Sequence, residues 1–346
     1  MFKPNYMNLI SAARNREVKR FPLYEHAISV NIMEEITGKR FAALYDGDES
    51  DRLEFFRHYN RFFQTCGYDT VSFEVCVGLS IYGTGALGRH LEGAIQNMDD
   101  FRRYPWDEAL DTYFKAATPY FDALMKTLPA GMKAVGGVGN GIFEMVEELV
   151  GYMNLCYIRE DDPELYALLF QKVGGMMYDI WHAFLPKYGD AYCVCRTGDD
   201  LGFRTSTLIA PGDIRRHIIP QYKRIISLIH SYGKPFLFHS CGAIADVMED
   251  FIAAGIDAKH SNEDQIAPFS TWVEEYGDRI GNFGGVDTDI ICASSAVDIP
   301  VYVRDLVAKS VGHGGFAFGT GNSVPDYCSA GRYMQMIETA RALRGE

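Results

Sequence analysis

No apolar run in this 346-residue chain reaches the roughly 18 residues that a membrane-spanning helix needs. The opening stretch, Met1-Phe2-Lys3-Pro4-Asn5-Tyr6, leads into a charged amphipathic segment and lacks the apolar core of a signal peptide, so a cytoplasmic protein with no membrane partner is expected. Basic charge is scarce. Lys and Arg total 33 against 46 Asp and Glu, a net charge of −13. Nucleic acid is excluded as an expected partner, because that binding rests on basic surface meeting phosphate. A highly anionic substrate would need a local basic pocket to overcome the same field. Internal repeats, low-complexity tracts and Pro/Ser-rich linkers are missing, which predicts one domain over residues 1–346. A disulfide framework is missing too. The eight cysteines, 66, 76, 156, 193, 195, 241, 292 and 328, are scattered, and in a cytosolic chain they argue for buried thiols or a metal site.

What is present is a large core. Hydrophobic residues make up 47% and charged residues 23%, enough to fold without staples. Eight strand-like runs, at 21–24, 70–73, 132–135, 191–195, 235–238, 256–259, 280–283 and 315–318, alternate with helical sequence. That alternation predicts a parallel sheet. Residues 5–17 read as a lead-in helix, and Pro211-Gly212-Asp213 opens a helix from Ile214 to Tyr232 that Pro220 should kink or split. The Gly-rich phosphate fingerprint of a dinucleotide-binding sheet is absent after the first strand. The prediction is therefore an α/β fold, a single (β/α)₈ TIM-type barrel with an N-terminal lead-in helix.

In such a barrel chemistry gathers at the C-terminal ends of the strands. His239-Ser240-Cys241-Gly242 follows the fifth run. Residues two apart on an extended segment point the same way, so an imidazole and a thiol converge there. Zinc accepts both, and its catalytic sites take three protein ligands; His239 and Cys241 are the candidate metal ligands. The plain alternative is a strand-end histidine held by a carbonyl beside a buried cysteine. Asp199 and Asp200, in a Gly-flanked loop, could bind a metal, act as base or merely cap loop backbone. Glu25 and Glu74 each end a strand-like run and are expected to face the mouth, as catalytic carboxylates or as partners of a loop arginine. His26 reads as an ordinary hydrogen-bonded histidine, with metal ligation the alternative. Asn140 and Ser261 are the candidate cofactor-binding side chains, and Asn322, in Gly319-Thr320-Gly321-Asn322, is a candidate for orienting substrate. Asp287 or Asp289 should cap a helix. Cys193 and Cys195 lie inside an apolar run and read as core.

The order of these segments resembles the uroporphyrinogen decarboxylase-like superfamily across nearly the whole chain. Gly67-Tyr68-Asp69-Thr70-Val71 is similar to its second-strand entry. Asp162-Pro163-Glu164-Leu165 resembles its "DPEL" helix start, and Leu208-Ile209-Ala210-Pro211-Gly212-Asp213 resembles its "LSPED" start, with Pro220-Gln221-Tyr222-Lys223-Arg224-Ile225 following. Phe238-His239-Ser240-Cys241-Gly242 resembles its "H-x-C-G" strand end, and Gly284-Gly285-Val286-Asp287 and Gly319-Thr320-Gly321-Asn322 resemble the last two strand ends. The resemblance implies a (β/α)₈ barrel and one of two activities. Decarboxylases of this kind grip an eight-carboxylate porphyrinogen with the arginines of an "RQAGR" motif. Here Tyr24-Glu25-His26-Ala27-Ile28-Ser29-Val30 stands in its place without arginine, Glu74 stands for the key Asp, and Asn322 for a His. Corrinoid-dependent methyltransferases carry zinc on "H-x-C … C". His239 and Cys241 match the first two ligands, Asn322 occupies the third, and Cys328 lies six residues on. Glu25 or Asp200 could complete such a site.

Three readings follow. The leading one is a methyltransferase that moves a methyl group between a small substrate or carrier and a corrinoid (cobalamin) held by a partner protein, with zinc on His239 and Cys241. The second is a decarboxylase of a tetrapyrrole or smaller acid. The third is a non-catalytic barrel that binds a corrinoid or tetrapyrrole for delivery. If the chain self-associates, a homodimer is the default.

Overall fold

The computed structural model describes residues 2–78, 80–89, 91–292 and 296–346. Seven strands are found among them: β1 (Thr70–Cys76), β2 (Lys133–Gly139), β3 (Tyr192–Gly198), β4 (Phe236–His239), β5 (Ala258–His260), β6 (Gly281–Val286) and β7 (Phe316–Thr320). All pair in parallel and in chain order. Parallel neighbours need a crossover, and helices supply each one.

The strand count corrects the expectation of eight. Residues 21–24 form no strand; they contribute one parallel bridge, Leu23 to Phe318. Tyr24 N donates to Phe318 O at 2.8 Å and Phe318 N donates to Pro22 O at 2.9 Å. Pro22 has no N–H to extend a ladder. On the other flank the gap to β1 is spanned by side chains instead: Ser72 Oγ donates to His26 O at 2.7 Å, and Arg196 of β3 bridges the gap by donating Nη1 to Tyr24 Oη at 2.9 Å and to Ser72 Oγ at 2.7 Å.

The sheet is curled, in the manner of a TIM-type barrel. Val135, Val194, Leu237, Ala258, Phe283 and Ala317, from six of the strands, meet in one buried cluster with Tyr24 and with Leu9 and Ala12. Leu9 and Ala12 belong to the lead-in helix, which spans Met7–Ala13 and touches β3, β6 and β7 at once. A flat sheet could not bring those strands to one short helix. The helix closes the N-terminal end of the curl, so the opposite end is left for chemistry.

Outside, helices such as Glu49–Cys66, Ala109–Thr127 and Pro163–Tyr188 cover the sheet. Their starts follow from local chemistry: Asp48 and Asp51 form a reciprocal capping box, and Asp162 accepts from Leu165 N with Pro163 in the first turn. The stretch opened by Pro211 is split as expected. Ile214–Ile218 forms a π-helical turn, and Ile219–Ser231 continues as α-helix with Pro220 in its first turn. No described helix is long and apolar enough to cross a membrane. All eight cysteines are free, and Cys193 and Cys195 are buried in β3 as core.

Candidate functional site

His239 ends β4 and His260 ends β5, and the two are register partners. Their side chains share the inner face, with Nδ1 to Nδ1 at 2.7 Å. The far nitrogen of His260, Nε2, lies 2.9 Å from Thr320 O. The far nitrogen of His239 lies 3.4 Å from Cys241 Sγ and 3.7 Å from Asp200 Oδ1. Gly242 adopts φ +78°, a left-handed turn that costs other residues strain, and it brings the Cys241 segment against Gly202 of the loop after β3. Asp200, in that loop, accepts from Cys241 N at 3.0 Å. Asn322, after β7, donates Nδ2 to Cys241 Sγ at 3.2 Å. The loops after β3, β4 and β7 thus converge on one thiol.

The donor atoms of Asp200, His239 and Cys241 lie within 4.8 Å of one another, as do those of His26, His239 and His260. The first group is the better metal cradle. In the second, the His26 and His239 rings are stacked at 3.8 Å and 19°, so their in-plane lone pairs run side by side rather than toward one point. Burial raises the Cys241 thiol above its usual range, Asp200 raises it further, and Asn322 opposes them. Burial holds His239 well below its usual value, helped by His260, and pushes His260 down to about 3. Both imidazoles are neutral at pH 7.

Beneath the histidines lies a buried ion pair. Arg196, on β3, donates Nε and Nη2 to Glu74 Oε2 at 3.0 and 2.8 Å, and Nη1 to Tyr24 Oη and to Ser72 Oγ at 2.9 and 2.7 Å. His26 Nε2 sits 4.0 Å from Glu74 Oε1, and its buried Nδ1 has no hydrogen-bond partner among the described residues. A cavity of about 380 Å³ opens beside this pair, walled by Ile28, Tyr45, Phe55, Tyr59 and Phe73. Apolar walls with a few convergent polar groups are the usual form of a small-molecule site. A larger groove, about 780 Å³, runs along the outer helices past Trp106 and Lys172, away from the histidines.

The structure brings Asp200, His239, Cys241 and Asn322 together, and Glu74 joins them only through His26, whose ring stacks on His239. It does not bring Glu25. Tyr24 and His26 point inward, so by strand alternation Glu25 points outward, which corrects the expectation that it faces the mouth. Glu25 is 1% exposed and accepts from Thr320 N at 3.1 Å, from Thr320 Oγ1, and from Tyr68 Oη at 3.2 Å. Burial raises its carboxyl to about 8. Asp199 also turns away from the mouth. It accepts from Ile142 N, Phe143 N and Glu144 N at 3.0–3.2 Å and from Tyr222 Oη at 2.8 Å, capping the helix Ile142–Val150 from another segment. Asn140 is committed on both ends, accepting from Gly78 N and donating to Glu144. Ser261 is buried just past β5, and its side chain faces the Cys241 thiol. Asp287 caps its own turn by accepting from Asp289 N at 2.8 Å.

Sequence reasoning missed His260 and Arg196, and passed over His26 as ordinary. Two signals were there. Histidines close two consecutive strands, and Arg196 is a lone charge in an apolar strand, two residues from inward Val194.

Residues 67–343 match the uroporphyrinogen decarboxylase (URO-D) family. Among solved structures, a methyltransferase from Methanosarcina mazei superposes with a TM-score of 0.74 at 12% identity, covering 99% of each chain. A D-allulose 3-epimerase from Methylomonas sp. matches with a TM-score of 0.47 at 10% identity, over 94% of this chain and 99% of that one. No curated protein matches the chain.

Proposed function

Because the chain belongs to the uroporphyrinogen decarboxylase (URO-D) family, we propose that it is a methyltransferase working at His239, Cys241 and Asp200. The observation that carries this reading is the donor set itself: one imidazole nitrogen, one thiol sulfur and one carboxylate oxygen within 4.8 Å at the open end of the barrel. Zinc accepts all three donor types and takes three protein ligands at catalytic sites. Asp200 completes the set that Asn322 leaves short. When bound, such an ion would keep Cys241 as thiolate and make an incoming thiol more acidic.

The chain's own residues do the remaining work. Asp200 holds the Cys241 backbone, and Asn322 steadies its sulfur. The apolar wall of Phe55, Tyr59 and Phe73 shields a small methylated compound or methyl carrier from water above the Glu74–Arg196 pair. A corrinoid carried by a partner protein would supply or take up the methyl group of that compound. Likeness to the Methanosarcina methyltransferase supports the architecture; the activity rests on the site. A decarboxylase of a polycarboxylate would need cations free to grip it, and the guanidinium lining this cavity is already committed through four hydrogen bonds.

The test is metal content of anaerobically purified protein beside a His239→Ala, Cys241→Ala double variant, with demethylation of a methyl-corrinoid protein followed in both. About one zinc per chain, as a three-ligand catalytic site holds, lost with activity in the variant, is expected. No metal in either protein removes the thiolate–metal mechanism. Failure to bind or demethylate methyl-corrinoid protein with any acceptor removes methyl transfer.

A further inference from the structure

We infer that His260 is a positioning residue: it sets the tautomer of His239 and thereby aims a bare Nε2 at Cys241 and Asp200. The argument starts at a backbone carbonyl. Thr320 O lies 2.9 Å from His260 Nε2, and a carbonyl only accepts, so that nitrogen carries a proton. His260 is 1% exposed, and among the described residues no carboxylate pairs with it. A buried imidazolium without a counter-charge is costly. His260 is therefore neutral, and its Nδ1 is bare.

His239 Nδ1 lies 2.7 Å from that bare nitrogen. At this distance one proton must lie between them, so it belongs to His239 Nδ1. His239 is itself 4% exposed, so a second ring proton would bury a charge, and its Nε2 stays bare. That nitrogen is the one 3.4 Å from Cys241 Sγ and 3.7 Å from Asp200 Oδ1. His26 does not compete, because it meets His239 face to face and leaves the in-plane nitrogens to other partners. The chain of donors, His239 to His260 to the Thr320 carbonyl, is the kind of outer support that orients a ligand imidazole or a base. It rests on the proposed function only for the location of the site. Whether Nε2 takes an ion or the Cys241 proton, it needs the same lone pair.

The deciding measurement is a long-range ¹H–¹⁵N correlation spectrum of the metal-stripped full chain labelled with ¹⁵N-histidine. His239 should show protonated Nδ1 and bare Nε2, and His260 the reverse. A protonated His239 Nε2 overturns the inference. His260→Phe and His260→Asn supply a second readout, since Asn keeps an acceptor near the position of Nδ1 and Phe keeps none. Zinc affinity should fall about 10–100-fold in the Phe variant, and Asn should restore most of it. Equal losses in both variants would mean His260 only packs, and would overturn the inference. If the wild-type chain binds no zinc, the metal part of the proposed function fails, while the spectrum of the metal-free protein still decides the tautomer.

Discussion

At the scale of single residues, burial decides which carboxylates are ionised. Glu25 sits behind the wall with hydroxyl and amide donors and, among the described residues, no cation, and its carboxyl is raised from 4.5 to about 8. The folded chain therefore keeps a proton that the unfolded chain releases between those values. Its contribution to stability is fully present below about 4.5 and is lost as pH rises to about 8, at about 1.4 kcal/mol per pH unit. Glu25→Gln removes that titration. Urea unfolding of both proteins from pH 4.5 to 8 should show the stability gap between wild type and variant shifting steadily against wild type as pH rises. Parallel curves would mean that Glu25 is ionised in the fold. Asp200 differs in exposure and partners: its side chain is 45% exposed, accepts from a backbone N–H and lies 3.7 Å from His239. Adjacent in sequence and alike in chemistry, Asp199 and Asp200 differ only in which way their side chains face.

At the scale of elements, Asp199 ties β3 to the helix Ile142–Val150, which has no capping side chain of its own at its N-cap, Gly141. Asp199→Ala removes that cap and leaves the Tyr222 hydroxyl without its partner. A loss of about 2 kcal/mol or more is expected, read from a lower urea midpoint at unchanged slope. Zinc content should stay as in wild type. Unchanged stability with lost activity would return Asp199 to the catalytic centre. The strands were legible to within a few residues wherever β-branched and aromatic residues ran together. β2 runs on to Gly139, four residues past the expected end, because Gly136-Gly137-Val138-Gly139 reads locally as a turn. Only packing explains that run: a Cβ on Gly137 would lie 2.9 Å from Trp181 and 3.1 Å from Phe184.

At the scale of the whole molecule, the seam between β7 and β1 is the weakest part of the wall. β3 has ladder partners on both sides, whereas residues 21–24 have backbone bonds to β7 alone, and β1 meets the segment through the Ser72 hydroxyl at His26 O. Amide hydrogen exchange should find the 21–27 segment opening with a lower free energy than β3. Equal protection of the two would mean the barrel is closed by a full eighth strand. The acidic field of the molecule, −13, surrounds a mouth whose own guanidinium is neutralised by Glu74. That arrangement suits small or weakly charged compounds better than polyanions.

The amino-acid sequence by itself determined the alternation of strand and helix, the inward pairing of His239 with Cys241 and the place of both at a strand end. Each depends on spacing of two to four residues, and spacing is local. Which other groups reach that pair was decided only by the tertiary structure. Arg196 and Asp200 come from β3 and the loop after it, His260 from the end of β5 and Asn322 from the loop after β7, and sequence distance carries no information about where those three places meet. The same holds for Glu25. Alternation along its segment says that it faces away from Tyr24 and His26, but only the curl of the sheet says that the inner face is the one with Tyr24. The local signal names the face, and long-range packing assigns that face to the mouth or to the wall.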